Sequence, residues 1–329
     1  MRYALLALSA AAVLAIAGCA NVPQTTVMPK SDAARLIQNL YVWIFWMSVV
    51  VFVAVQGVLV YAMWRFRHRP GHAMPPQVHG NTRLEVMWTI APAVVLVFIG
   101  IPTIQTIFAL ESPPPGQPMT IEVIGHQWWW EFRYPEQGVV TANEMIIPVG
   151  QTVELKMRSE DVIHSFWIPQ LMGKQDVVPT HVNSLWFTAE EGGQYFGQCA
   201  EYCGVEHALM RMNAIAYDRP DFEAWAARQR APAAPTTDLA LEGAEVLTRN
   251  ACVGCHTIAG TVAQGQVGPN LSHFGSRTTL AAGILENTPE NLTRWLRDPQ
   301  EVKPGTKMPN LNLRPSEVEA LVEYLHSLK

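Results

Sequence analysis

Two long stretches without a charged side chain constrain this chain more than any other feature. No Asp, Glu, Lys or Arg occurs from Leu40 to Trp64, and none occurs over residues 87–110. Each stretch exceeds the roughly 20 apolar residues that a helix needs to cross the hydrocarbon of a bilayer. Trp43, Trp46, Trp64 and Trp88 fall near the ends, where interfacial aromatics sit. Pro92 and Pro102 interrupt the second stretch, which membrane helices tolerate. The connection carries Arg65, Arg67, Arg69 and Arg83 against Glu85 alone. Positive connections stay in the cytoplasm. The expectation is a two-helix transmembrane hairpin within residues 36–111, with helices at about 40–64 and 87–110. Both termini then lie outside the bacterial inner (plasma) membrane, in the periplasm.

The N-terminus agrees with that orientation. Residues 1–18 start Met-Arg, continue through Ala, Leu and Val, and are too short to span a bilayer, so they read as a signal peptide. The small residues before Cys19 resemble a bacterial lipoprotein cleavage site, which would make Cys19 a lipidated mature N-terminus. The five cysteines are Cys19, Cys199, Cys203, Cys252 and Cys255. An odd number with two close pairs suits cofactor attachment better than a disulfide framework. A net charge of −5 gives no sign of a nucleic-acid partner.

After the second apolar run, Ser112-Pro-Pro-Pro-Gly-Gln-Pro118 is a stiff linker. Residues 118–220 then show short alternating apolar stretches: Thr120–Ile124, Val139–Val140, Met145–Val149, Thr152–Met157 and Ser184–Thr188. Turn signals separate them. This is the pattern of a small antiparallel β-sandwich or barrel. His126-Gln-Trp128-Trp-Trp130 reads as an aromatic strand, with Trp128 and Trp130 on one face. Residues 221–237 read as a second linker, rich in Pro, Ala and Thr toward its end. Beyond it, residues 238–329 turn helical: Leu239–Arg249 and Pro315–Leu328 carry apolar residues at helix spacing.

Two motifs carry chemistry. Cys199-Ala-Glu-Tyr-Cys203-Gly-Val-Glu-His207-Ala-Leu-Met210 places two thiols, an imidazole and a thioether in one loop. Sulfur with imidazole selects copper or zinc over hard cations. A disulfide would use neither the His nor the Met, and structural zinc sites rarely use Met. Two cysteines one turn apart can bridge two copper ions that share one electron. A second imidazole is then needed, and His164 lies on a β-branched and aromatic stretch upstream; alone it reads equally as a loop histidine. The second motif, Cys252-Val-Gly-Cys255-His256, is the attachment sequence of a c-type haem: two thiols bond the porphyrin and the His ligates iron. Met308 offers the sixth ligand, with His273 and His326 as rivals. Met/His ligation raises the haem potential, as suits an electron carrier.

His164-Ser-Phe-Trp-Ile-Pro169 together with Cys-x-Glu-x-Cys-x3-His-x2-Met resembles subunit II of the haem–copper cytochrome c oxidases over residues of about 35 to 220. Residues 238–329 resemble a small class I cytochrome c, Gly268-Pro-Asn-Leu271 included. Together they resemble a caa-type subunit II with a fused cytochrome c domain. The resemblance implies a cupredoxin fold holding a dinuclear copper centre, CuA. In it Cys199 and Cys203 bridge, His164 and His207 are terminal ligands, and Met210 and the Glu201 carbonyl are weak axial ligands. It implies that Trp128 is the electron-entry side chain. It also implies that the Glu201 carboxylate helps bind Mg²⁺ at the border with subunit I. Glu85 closes a capping box from Thr82 on the residues alone; the resemblance makes it the mouth of a proton pathway. The implied partners are oxidase subunits I and III, with cytochrome c or a quinol–cytochrome c reductase as donor. The spans hold no histidines for an oxygen-reducing centre, so that centre is expected in subunit I. Other readings are a membrane-anchored carrier serving another reductase, such as a nitric oxide reductase, and a copper-trafficking protein, against which the haem motif argues.

Overall fold

A computed structural model describes residues 23–71, 74, 77–235 and 237–329. The expected signal peptide and Cys19 lie outside the described residues. Two units separate, residues 35–112 and the rest of the chain. The first holds most of helix α1 (Asp32–Arg65) and all of α2 (Thr82–Glu111), both long and apolar enough to cross a membrane. Their apolar side chains face outward, as lipid-facing helices require. Trp43 Nε1 donates to the Phe98 carbonyl across the pair at 3.1 Å. The start of α2 differs from the expected capping box. Asn81 is the cap, its side chain accepting from Arg83 and Leu84 N–H, while Glu85 accepts from Asn81 N–H at 3.1 Å. The reciprocal bonds therefore begin one residue earlier than Thr82 suggests.

The second unit begins with a β-sandwich of ten strands: β1 (Met119–His126), β2 (Trp129–Tyr134), β3 (Val139–Ala142), β4 (Glu144–Pro148), β5 (Thr152–Ser159), β6 (His164–Trp167), β7 (Gln175–Val177), β8 (Asn183–Thr188), β9 (Gly193–Cys199) and β10 (Arg211–Tyr217). One sheet is ordered β3-β2-β1-β5-β8 and the other β4-β10-β9-β6-β7. The sheets are mixed rather than purely antiparallel, because β1 runs parallel to β5 and β4 parallel to β10. Local alternation reports which face is buried, not which distant strand is the neighbour. Trp130, Phe132, Phe166, Phe187, Ile121 and Leu155 fill the space between the sheets. The residues expected to form an aromatic strand instead turn: β1 ends at His126, β2 starts at Trp129, and Trp128 lies at the hairpin tip.

Residues 221–237 are not linker throughout. Helix α3 (Arg219–Arg230) starts with Pro220 in its first turn and buries Phe222, Trp225 and Ala226. Trp225 meets Tyr134 edge-on at 5.2 Å. The buried Tyr134 hydroxyl donates to the Ile146 carbonyl and accepts from its N–H, and burial pushes the phenol pKa up. The haem-motif region follows, with α4 (Asp238–Arg249), α5 (Pro289–Arg297), the single turn α6 (Pro299–Val302) and α7 (Pro315–Ser327). Helices α4, α5 and α7 enclose Val246, Leu247, Leu292, Leu296, Val318 and Leu321. Gly243 is required where α4 crosses α7, since a Cβ there would lie 2.1 Å from the Ala320 carbonyl oxygen.

Candidate functional site

Strand pairing builds the first cluster. Antiparallel pairing sets Phe166 opposite Cys199 at the end of β9, and His164 lies two residues along β6. The loop that leaves β9 returns as β10, and its two ends are tied by the bond from Cys199 N–H to the Met210 carbonyl at 2.9 Å. A further bond from Ala200 N–H to the Ser165 carbonyl fastens the loop to β6. Cys199 Sγ lies 3.8 Å from Cys203 Sγ, 3.9 Å from His164 Nδ1 and 3.2 Å from the Glu201 carbonyl oxygen. Cys203 Sγ lies 3.7 Å from His207 Nδ1 and 3.8 Å from Met210 Sδ. Metal–donor bonds of about 2.0–2.3 Å put neighbouring tetrahedral donors about 3.3–3.8 Å apart. The donor atoms, two sulfurs and two imidazoles with weak axial partners, therefore have the spacing and softness that copper needs. His164, Cys199, Cys203 and Met210 are all buried, which excludes water from the cluster.

Electrostatics favour binding. The hydrogen bond from the Cys203 thiol lowers the Cys199 pKa and favours a thiolate within the pair. The same hydrogen bond, with burial, pushes the Cys203 pKa up, so the pair gives up its second proton when a metal cation displaces it. Burial alone would lower the His164 pKa, but bonds to Asp161 and Cys199 outweigh it and raise the value. Asp161 Oδ1 lies 2.9 Å from His164 Nε2, which leaves Nδ1 toward the sulfur. Asp161 is itself fixed by Gln127 and Val162 N–H, and with His164 these bonds override burial and depress its pKa. Gly125 gives the imidazole room; a Cβ there would meet His164 Cδ2 at 2.8 Å.

Trp128 touches this loop directly. Its Nε1–H donates to the Cys203 carbonyl at 3.0 Å, and Gln127 Nε2 donates to the same oxygen at 2.8 Å. The indole packs on Gly204, whose φ of +119° and 2.9 Å Cβ clearance from Trp128 Cζ2 admit no side chain. The Glu201 side chain is exposed.

The second cluster rests on a short helical turn, Cys252–Gly254. His256 N–H donates to the Cys252 carbonyl at 3.0 Å. The Pro269 carbonyl accepts from His256 Nδ1 at 2.8 Å, which leaves Nε2 free to ligate. Burial lowers the His256 pKa and keeps the ring neutral, as ligation requires. Gly268 allows the Pro269 segment to lie against this ring; a Cβ there would be 2.7 Å from His256 Cε1. Cys252 and Met308 pack against the apolar cluster of α4, α5 and α7. Gln300 organises the Met308 loop, donating to the Thr306 and Met308 carbonyls and accepting from Gly305 N–H. The donor set, two thiols beside an imidazole and a thioether on an apolar wall, fits a c-type haem. Of the rival ligands, His273 lines a cleft of about 30 Å³ with Thr141, Glu144 and Trp225. His326 sits edge-on to Phe274 at 6.3 Å.

Gly268 belongs to the Gly268–Leu271 segment that the sequence already points to, whereas Asp161, Gln300 and Lys303 escape a reading of the sequence. Asp161 has the one local signal, a carboxylate three residues before a ligand histidine. Lys303 carries none. It is 3 % exposed, and burial lowers its pKa to about 8 despite Glu206 nearby. The Glu206 pKa is raised by its own burial.

A membrane hairpin, a cupredoxin-like sandwich with a soft-donor cluster, and a helical cytochrome c domain define a membrane-bound electron-transfer protein. Family models match along the chain: the transmembrane domain of cytochrome c oxidase subunit II at residues 24–106, its periplasmic domain at 138–216, and cytochrome c at 240–329. The chain is 39% identical to cytochrome c oxidase subunit 2 of Alkalihalophilus pseudofirmus, over 96% of this chain and 94% of that one. It is 34% identical to the subunit of the same name from Bacillus subtilis, over 100% and 98%. Among solved structures, the periplasmic domain of subunit II of cytochrome oxidase of Bradyrhizobium japonicum is similar at 30% identity and a TM-score of 0.34, covering 35% of this chain and 96% of that one. The chain belongs to the cytochrome c oxidase subunit II family, and within it carries a C-terminal cytochrome c domain. It is the electron-accepting subunit of a terminal oxidase.

Proposed function

We propose that this subunit accepts electrons through a haem c bonded to Cys252 and Cys255 and ligated by His256 and Met308. It delivers them to a CuA centre held by His164, Cys199, Cys203, His207, Met210 and the Glu201 carbonyl, for transfer to subunit I, where O2 is reduced to water with proton pumping. The carrying observation is the contact between the two buried sulfurs, each with its own imidazole beside it. Bound copper and haem supply one-electron chemistry at a potential tuned by their ligands. The chain's residues do the remaining work. Asp161 and the Pro269 carbonyl orient the imidazoles, the sandwich excludes water, and Met308 sets the haem potential.

Trp128 is the electron-entry side chain of the copper domain, and its bond to the Cys203 carbonyl supports that role. Glu85 marks the entrance of a proton path, and the exposed Glu201 carboxylate is available to an Mg²⁺ shared with subunit I. The chain is organised as a cleaved leader to residue 18, a membrane hairpin over 36–111, a copper domain over 118–220, helix α3 with the short Pro- and Ala-rich link that follows it, and a haem domain over 238–329. It sits in the bacterial inner membrane with both cofactor domains in the periplasm. Subunit III is the further partner, and cytochrome c or a quinol–cytochrome c reductase the donor. Electron paramagnetic resonance of the purified complex tests the reading. One unpaired electron delocalised over two coppers is expected, with haem that stays covalently attached on denaturation. A single-copper signal or extractable haem would overturn it.

A further inference from the structure

The haem domain could reach the copper domain by swinging on the segment that joins them, or it could be held in place. The geometry points to a fixed dock: Lys303 is a latch that seats the haem domain on the copper-binding loop against Trp128, so that the copper domain is served by its own haem domain without either domain having to swing. This inference rests on the proposed electron path.

Lys303 Nζ donates to the Trp128 carbonyl at 2.9 Å and lies 3.8 Å from Glu206 Oε2. The two side chains are 3 % and 1 % exposed, and Glu206 stands in the loop between Cys203 and His207. A buried ammonium and a buried carboxylate on separate domains are each costly alone, and their opposite charges offset one another only when the domains meet. Two residues on, Gly305 presses its backbone against Val205. A Cβ there would lie 2.6 Å from Val205 Cγ2, and φ is +98°. Lys307 Nζ lies 3.5 Å from Asp161 Oδ2, on the carboxylate that holds His164. These contacts come from the loop that ends at Met308. They bring the haem-ligating thioether's own segment onto the copper loop.

A second patch fixes the orientation, which one contact could not. The buried Glu144 carboxylate accepts from Thr278 and Thr279, through both backbone N–H groups and both hydroxyls, at 2.7–3.1 Å. Arg211 N–H donates to the Ala282 carbonyl at 3.1 Å, directly after Met210. Trp129 and Ala142 of the sandwich bury Ala282 of the haem domain between them. The short tether raises the effective concentration of one domain at the other, so such contacts are filled continuously. The Trp128 indole N–H donates to the Cys203 carbonyl while its own carbonyl accepts from Lys303, so this residue bonds to both sides of the seam.

The test uses the full-length, cofactor-loaded subunit and has two readouts. Amide hydrogen exchange reads docking without any electron transfer, because Arg211, Thr278 and Thr279 donate their N–H groups across the seam. Flash reduction of the haem, followed at the copper absorbance, reads transfer. In the wild type these amides exchange slowly, and transfer is independent of added viscosity because no domain has to move. Lys303→Met leaves Glu206 unpaired; exchange at Thr278 and Thr279 then speeds roughly tenfold or more, and transfer slows and becomes viscosity-dependent. Lys303→Arg restores both in part. The haem potential and the copper resonance signal stay at wild-type values, which a misfolded domain would not allow. A second variant, Thr278→Val with Thr279→Val, opens the other patch far from Lys303 and has the same two effects. Viscosity-dependent transfer in the wild type, or unchanged exchange in Lys303→Met, overturns the latch alone. Absence of haem-to-copper transfer in a wild type whose seam is protected overturns the electron path on which the latch rests.

Discussion

The copper loop and the haem motif solve the same problem, presenting soft donors to a redox centre, by different means. The copper donors are in contact with one another. Sheet register places His164 and Cys199, and a backbone bond closes the loop between Cys199 and Met210. The haem donors are held apart on separate supports. A helical turn carries Cys252, Cys255 and His256, and a distant loop organised by Gln300 carries Met308. In the first site the protein frame alone would set the metal geometry; in the second, covalent attachment through Cys252 and Cys255 would do much of that work. Loss of one donor should therefore erase the copper site and only retune the haem site.

The largest expected effect tests this asymmetry with two reciprocal changes. Cys199→Ser would remove one of the two thiolates proposed to hold copper, which a hydroxyl cannot replace, so the two-copper resonance should vanish while the haem spectrum stays unchanged. Met308→Ala should leave haem bonded through Cys252 and Cys255 and the copper signal intact. The haem potential should fall by on the order of 100 mV, because Met stabilises ferrous iron. If Cys199→Ser keeps a two-copper signal, or if Met308→Ala changes nothing at the haem, the two sites are not built on the different principles argued here.

A smaller effect sharpens the comparison by leaving every donor atom in place. Asp161 fixes the His164 tautomer and also meets Lys307. Asp161→Asn keeps a hydrogen-bonding shape but loses the charge, so copper affinity should drop roughly 10–100-fold. Competition with a chelator of known affinity measures it. Haem content should not change. Unchanged copper affinity would mean that sheet register alone orients His164.

What the sequence discloses follows the range of the interactions. The apolar runs, the strand alternation, the Cys199–Met210 loop and the Cys252–His256 motif are local patterns, and they are legible. Sequence alternation puts Trp128 on a strand, whereas the strand pairing ends at His126 and resumes at Trp129, leaving Trp128 in the turn. Helix α3 had a signal, Phe222, Trp225 and Ala226 at helical spacing behind Pro220, overshadowed by the Pro- and Ala-rich residues that follow it. The parallel pairs β1/β5 and β4/β10 join strands far apart in sequence and leave no local trace. Lys303 and Glu206 read as solvated loop charges, since nothing near either residue shows that the other domain buries it.

The smallest effect belongs to acid and falls on the haem side. At the start of α7, the Glu317 carboxylate accepts from the Arg314 guanidinium and from Arg314 N–H, and Arg249 adds a further bond. These bonds, the Arg314 side chain foremost, lower its pKa from 4.5 to about 2. A carboxylate with a depressed folded-state pKa contributes stability that is complete above the unfolded value and is lost as pH falls through the folded one. The contribution is therefore present above about pH 5 and disappears between about 4.5 and 2. Other carboxylates titrate in the same window, so the informative quantity is the difference from Glu317→Gln. Thermal unfolding followed at the haem absorbance should show the wild type more stable than the variant at pH 6. The gap should close as pH approaches 2, and the copper domain's transition should be equal in both proteins throughout. A gap that stays constant with pH would mean that Glu317 acts through packing on α7 rather than through its charge.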